Sequence, residues 1–361
     1  MKWLLAGLLL AFLLLGSFLL APSPIDSRGW EPPANPGLRG EMAPNERLRL
    51  SDLVARGGVQ GPEDVAIDGN GYLFSGQADG SIVRISPEGV VESWANTRGR
   101  PLGLAFDAQA NLIVADAVRG LLSVSPAGEV TRLTREAEGL PFRLTDAVAV
   151  ADDGRIYFTD ASSRYRLDNY RLDLFELRAN GRLLRYDPRS GRTEVLLRNL
   201  YFANGVTFSQ QGDYLLITET ARYRVLRYWL KGPSQGQAEV FVDNLPGYPD
   251  NIKADSAGRY WVAVPALRRG LLDQLHRQPW LKDLVAKLPG SLQPAPEPYG
   301  LVLALSRDGK VLTSLHDTRG DYLWGVTSVT PHDGILYFGS LYSDRIGRLP
   351  LSAVPGLGEQ D

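Results

Sequence analysis

The chain has 361 residues, with 39 basic and 41 acidic side chains, a net charge of −2 and no cysteine. A near-neutral balance without a basic stripe gives a polyanion nothing to grip, which argues against a nucleic-acid partner. Lack of cysteine excludes disulfides, thiolate metal sites and cysteine nucleophiles, and 38 glycines with 24 prolines favour a turn-rich fold.

The N-terminus comes first in chain order. Lys2 is followed by an uncharged, leucine-rich run of nineteen residues, Trp3 to Ala21. At about 1.5 Å per residue it nearly crosses the roughly 30 Å apolar layer of a bilayer. Lys2 is a weak inside signal. The run predicts a transmembrane signal-anchor over residues 1–21, with the rest of the chain on the periplasmic or another extracytoplasmic side. The alternative is a cleaved signal peptide, whose apolar core is usually shorter; Leu19 suits poorly the third position before a cut after Ala21. Residues 22–45 are proline-rich and read as an extended linker. Residues 46–361 form the globular domain.

From Leu48 onward one pattern recurs six times: a short apolar strand, a glycine turn, and further short strands. Its starts are Glu63–Asp68, Leu102–Asp107, Thr145–Val150, Gly205–Ser209, Asn251–Asp255 and Gly325–Val329. A module of about 40 residues repeated in this way is the signature of a propeller. The expected fold is all-β, a six-bladed β-propeller with an N-terminal transmembrane helix. Leu48–Val54 is expected to close the ring as the outer strand of the last blade. A β-sandwich leaves the equivalent starts unexplained. Two intervals are long. Residues 162–180 are rich in Arg, Tyr and Leu, and residues 265–298 show helical spacing around Leu271–Leu275 and Trp280–Val285. Both can cover one mouth of the ring or form plain surface insertions.

Residues just ahead of the innermost strands converge on the axis of a propeller. Four copies place oxygen donors there: Glu63, Asp146, Asn204 and the pair Asp250-Asn251. Carboxylate and amide oxygens suit Ca²⁺, which takes six to eight hard ligands. The only histidines are His276, His316 and His332, which with the lack of cysteine argues against zinc. The plain reading of any one donor is a turn before a strand, Asn204-Gly205 above all. Four at equivalent positions favour a bound divalent ion.

The same segments carry a family likeness. Gly61–Asp64, Arg100–Gly103, the stretch YFTDASSRY within residues 148–163, Gly181–Pro188, FANGVTFS (202–209), ETARYRVLRYWLKGP (219–233), PGYPDNIKAD (246–255) and HDGILYFGSLYSDRIG (332–347) resemble the strictosidine-synthase-like family. The likeness is to its membrane-anchored adipocyte plasma membrane-associated branch, and it runs from about residue 60 to 350. That branch is similar in fold to paraoxonases and gluconolactonases, which hold a catalytic calcium in the channel and hydrolyse lactones or aryl esters. The resemblance implies calcium ligands at Glu63, Asp146 (where the relatives have Asn), Asn204, Asp250 and Asn251. Asp64 matches an acid at a second, structural calcium, but Ala147 stands where its companion acid would be. Leu102 replaces a histidine proposed to assist water attack. The segment Trp324–Ser328 lacks the glutamate used by strictosidine synthase, which argues against amine–aldehyde condensation.

Two functions remain open from sequence. One is calcium-dependent hydrolysis of a small-molecule ester or lactone, with Asp146 as ligand or as base. The other is a non-catalytic, membrane-anchored binding or scaffold propeller with a structural metal. The sequence leaves the oligomeric state undetermined.

Overall fold

Each repeat becomes four short antiparallel strands, because apolar runs rich in Val, Ile, Leu and aromatic residues are cut by glycine turns. The computed structural model describes residues 2–357. The inner strands of blades one to six are Val65–Ile67, Pro101–Phe106, Thr145–Val150, Ala203–Phe208, Ile252–Ala254 and Val326–His332. Each lies beside the inner strand of the next blade, and the sixth lies beside the first. Asp52–Val54 pairs antiparallel with Ile346–Pro350, so the first strand of the domain completes the last sheet. Velcro of this kind ties the two ends of the ring together and leaves each blade edge short. Between blades, apolar faces interdigitate. Trp261, Val302, Val329, Leu336 and Phe338, for example, are all buried in one cluster between blades five and six.

Four of the six inner strands share an irregularity that aims side chains into the channel. Pairing breaks register between Pro101 and Leu104, Thr145 and Val148, Ala203 and Val206, and Val326 and Ser328. A bulge bends the strand and re-aims the side chain it carries. Asn204-Gly205 is therefore no turn: it is the bulge of blade four. Gly205 is required by proximity. A Cβ there would lie 2.7 Å from Asn251 Cα and 2.8 Å from the Asp250 carbonyl oxygen. A glycine lets the neighbouring blade approach this closely.

Four α-helices and a strap complete the described residues. The first helix, α1 (Lys2–Leu20), carries an 18-residue stretch, Trp3–Leu20, of mean hydropathy 2.5. It is long and apolar enough to cross a membrane, a property signal sequences share. The insertion at 162–180 carries α2 (Arg171–Glu176), and that at 265–298 carries α3 (Gly270–His276) and α4 (Pro279–Ala286). Residues 22–45, expected to be an extended linker, run along the propeller without strand pairing and include a 3-10 turn at Gly40–Met42. Ile25 is buried against Tyr165, Phe175 and Ala286. The backbone N–H groups of Arg28 and Trp30 donate to the carbonyls of Glu176 and His276, both at 2.9 Å. Arg268 and Asn244 grip the carbonyls of Pro33 and Ala34 at 2.7 and 2.9 Å.

Candidate functional site

The six bulged or pre-strand positions meet at the floor of one cavity of about 160 Å³: Glu63, Leu102, Asp146, Asn204, Asp250 and Thr327. Its walls are mainly apolar. Tyr170, Leu174 and Phe175 come from α2 and its entry, Leu272, Leu275 and His276 from α3, and Pro294 to Pro296 from the end of the second insertion. The two insertions thus do cover one mouth of the ring. Of their aromatic residues, Tyr165 and Phe175 pack into the roof, Tyr170 lines the cavity, and Trp280 faces outward.

All five candidate ligands are buried. Asn251 lies just beneath the floor, and its Nδ2 donates to Glu63 Oε1 at 2.7 Å. Thr327 Oγ1 donates to the Glu63 carbonyl at 2.9 Å, tying blade six to blade one. Two acceptors at the floor, Glu63 Oε2 and Asn204 Oδ1, have no hydrogen-bond partner. Buried acceptors without donors are costly.

Electrostatics point the same way. Burial pushes the Glu63 carboxyl well above its ordinary range, and the charges of Asp250, Asp64 and Asp146 add to this. Burial also raises Asp250, with Asp146 contributing and a hydrogen bond from Asn204 opposing. Asp146 is pushed up to about 7 by burial and by Asp160. Three carboxyls that cannot all ionise comfortably together form a natural seat for a cation. Among the described residues, no group of three His, Cys, Asp or Glu could hold a metal by itself. A mixed set that counts the amide oxygens of Asn204 and Asn251 is of the hard-donor type that fits Ca²⁺.

Below the floor, the protein supplies its own cation. Lys253 Nζ donates to Asp64 Oδ1 at 2.6 Å, Thr330 Oγ1 at 2.9 Å and the Val65 carbonyl at 3.3 Å. Asp64 also accepts from the backbone N–H groups of Val65 and Leu104, at 2.8 and 3.0 Å. One carboxylate therefore clasps blades one, two and five, and Lys253 extends the clasp to blade six. At the position that the resemblance assigns to a second calcium, Asp64 is satisfied by an ammonium.

The roof contains buried bases. His276 is forced down to about 3 by burial, with Lys282, Arg222 and Arg268 adding their positive charges. Lys282 is lowered to about 8, chiefly by burial, and its Nζ donates to the Arg28 carbonyl at 2.6 Å. A folded-state value below the unfolded 6.5 means that the unfolded chain binds the proton more tightly. The stability held by neutral His276 is therefore complete above pH 6.5 and declines as pH falls toward 3. About 2 kcal/mol should be gone by pH 5. In His276→Gln, the stability difference between pH 7 and pH 5, read by chemical denaturation, should shrink by that amount. An unchanged difference would place the acid sensitivity elsewhere.

Thr327 was not singled out from sequence, and Leu102 was marked only through the resemblance. The signal was available, since each occupies the module position of Asp146 and Asn204.

Comparisons with known proteins agree with this architecture. The family description "Strictosidine synthase" matches residues 146–233, and "Strictosidine synthase-like, N-terminal" matches residues 40–85. The adipocyte plasma membrane-associated protein of Rattus norvegicus is 35% identical over 378 aligned positions, covering 98% of this chain and 100% of the relative. Among solved structures, a gluconolactonase from Xanthomonas campestris superposes with a TM-score of 0.62 at 17% identity, covering 92% of this chain and 99% of that one. Regucalcin from Agrobacterium tumefaciens, described as a calcium-binding protein, gives 0.59 at 16% identity, with 82% and 92% covered. These two structures speak for the fold. The relative that spans the whole propeller, together with the two family matches inside it, shows that the chain belongs to the strictosidine-synthase-like family.

Proposed function

We propose that the chain is a calcium-dependent hydrolase of small ester or lactone substrates, anchored by α1 with its propeller outside the cytoplasm. The observation that carries this reading is the floor of the cavity. Three buried carboxyls and two unpartnered oxygens face a space walled by apolar side chains. A hydrolase reading is also in keeping with the gluconolactonase whose fold the chain shares.

Glu63, Asn204, Asp250 and Asn251 would hold the ion. Bound there, Ca²⁺ would polarise the substrate carbonyl and stabilise the developing oxyanion. The protein's own residues do the rest. Asp146, the floor carboxyl left outside that set, would take the proton from water. Leu102 and the roof exclude bulk water and orient an apolar acyl or ring group. No histidine lines the floor, so the proton falls to a carboxylate. The strap and roof hold these walls in place, because Glu176 accepts from the Asp26 backbone N–H at 2.8 Å and from Tyr165 Oη at 3.0 Å.

A pure scaffold propeller would be expected to have a sealed channel. A cavity that reaches the acidic floor favours the hydrolase. The experiment is hydrolysis of a panel of aryl esters and lactones by the full chain in detergent with calcium present. Turnover of at least one class supports the proposal. A folded, calcium-loaded protein inert across the panel favours the scaffold.

A further inference from the structure

We propose that the helical roof of the cavity rests in the headgroup layer of the membrane that holds α1, so that the cavity draws a lipophilic ester or lactone from that leaflet. The seat of the roof rests on the anchor reading of α1, and the substrate class deepens the hydrolase reading.

The first support is a tether. The strap is pinned at Ile25, which is buried between α2 and α4, and at Asp26 and Arg28, whose backbone N–H groups bond to Glu176. From Ala21 to Ile25 the chain takes only four Cα steps, which span at most about 14 Å. The polar layer on each side of a bilayer is about 5–8 Å deep. The tether therefore keeps the pinned end of the roof within about 9 Å of the outer edge of that layer.

Direct contact is the second support. Lys287, at the end of α4, donates from Nζ to the carbonyl oxygens of Leu19 and Phe18 at 3.0 and 3.3 Å. A cation on the last carbonyls of a helix is favourably placed, and lysine suits the level where apolar chains meet headgroups.

The outer face of the roof is the third. Leu271, Trp280 and Leu292 are 55%, 62% and 67% exposed, all within one insertion. Single exposed hydrophobic residues are ordinary. Here three large ones share the segment that touches the end of α1, and tryptophan is the side chain favoured at a membrane interface. The same segment turns Leu272 and Leu275 inward to the cavity. One face of the roof therefore meets substrate while the other meets lipid.

The absence of cysteine makes the test clean. Single cysteines at Leu271, Trp280 and Leu292, with controls at Val90, just ahead of the outer strand of blade one, and Val240, on the outer strand of blade four, each receive a fluorophore. The labelled full-length chain is reconstituted in phosphatidylcholine–phosphatidylglycerol vesicles containing a lipid nitroxide near the headgroup. Quenching at the three roof positions should exceed that at the controls on the order of threefold, and it should persist when unlabelled protein is added in excess. Leu271→Glu with Trp280→Glu, neither of which lines the cavity, should slow hydrolysis of an ester dissolved in the vesicles and spare a water-soluble one. Roof labels quenched no more than the controls would overturn the proposal, as would shielding that vanishes on dilution, the mark of a second copy covering the face. Equal losses on both esters would overturn the lipid-borne substrate. Intact mass separates the readings: loss of residues 1–21 removes the anchor and this proposal with it. Strong quenching in a chain without hydrolysis leaves the roof seated in lipid and removes the hydrolase alone.

Discussion

Asp250→Ala is expected to lower kcat/KM for the best ester or lactone by about 100-fold or more, with the propeller still folded. The side chain is buried at the floor, where it receives a hydrogen bond from Asn204 and faces the charge of Asp146. Its backbone does separate work: the Asp250 carbonyl accepts from Thr218 Oγ1 at 2.6 Å, a bond that alanine retains. The substitution therefore removes a donor oxygen and a charge without cutting the tie between blades four and five. Calcium affinity, measured by calorimetry, should fall alongside the rate. A folded variant with unchanged rate and affinity would take Asp250 out of the site.

Lys253→Met is expected to destabilise the protein by about 3–5 kcal/mol, the range for breaking a buried pair by deleting one partner. Asp64 is only 2% exposed. Without the ammonium it keeps two backbone N–H donors and a buried charge. Thr330 Oγ1 still donates to the Val65 carbonyl at 2.8 Å, so blades one and six remain joined, while the link to blade five is lost. The double variant Asp64→Asn, Lys253→Met should recover part of the loss, because the uncompensated charge is gone. Denaturant unfolding of both variants decides the matter. A loss below about 1 kcal/mol, typical of exposed pairs, would show that the clasp is not a buried one.

Much of the ring was legible from sequence for a plain physical reason. A strand that buries one face on each neighbouring blade must repeat its apolar run and its glycine turn at each blade, and the runs from Val65 to Leu349 do so. Closure by Leu48–Val54 followed from the need to cover the last edge, although only Asp52–Val54 pairs and Arg47–Leu50 forms a 3-10 turn. The four donor segments were legible because module position stands in for geometry. The bulges were not, since they depend on pairing with a partner strand. Asn204-Gly205 thus looked like a turn, and Thr327 passed as an ordinary strand residue, while Leu102 was marked only through the resemblance. Lys253 gave no local sign of its partner, which lies 189 positions away in sequence. The proline-rich strap was legible as extended chain. Its docking depends on groups remote in sequence, such as Glu176 and Arg268, that composition cannot reveal.

The central claim is that the acidic floor works with calcium. The most direct test follows hydrolysis by the full chain through one cycle: calcium present, chelator added, calcium restored. The account predicts that activity disappears with the chelator and returns with the ion, and that the thermal midpoint falls and recovers in step as the floor carboxyls lose and regain their counter-ion. Activity and midpoint that both ignore the chelator would contradict it.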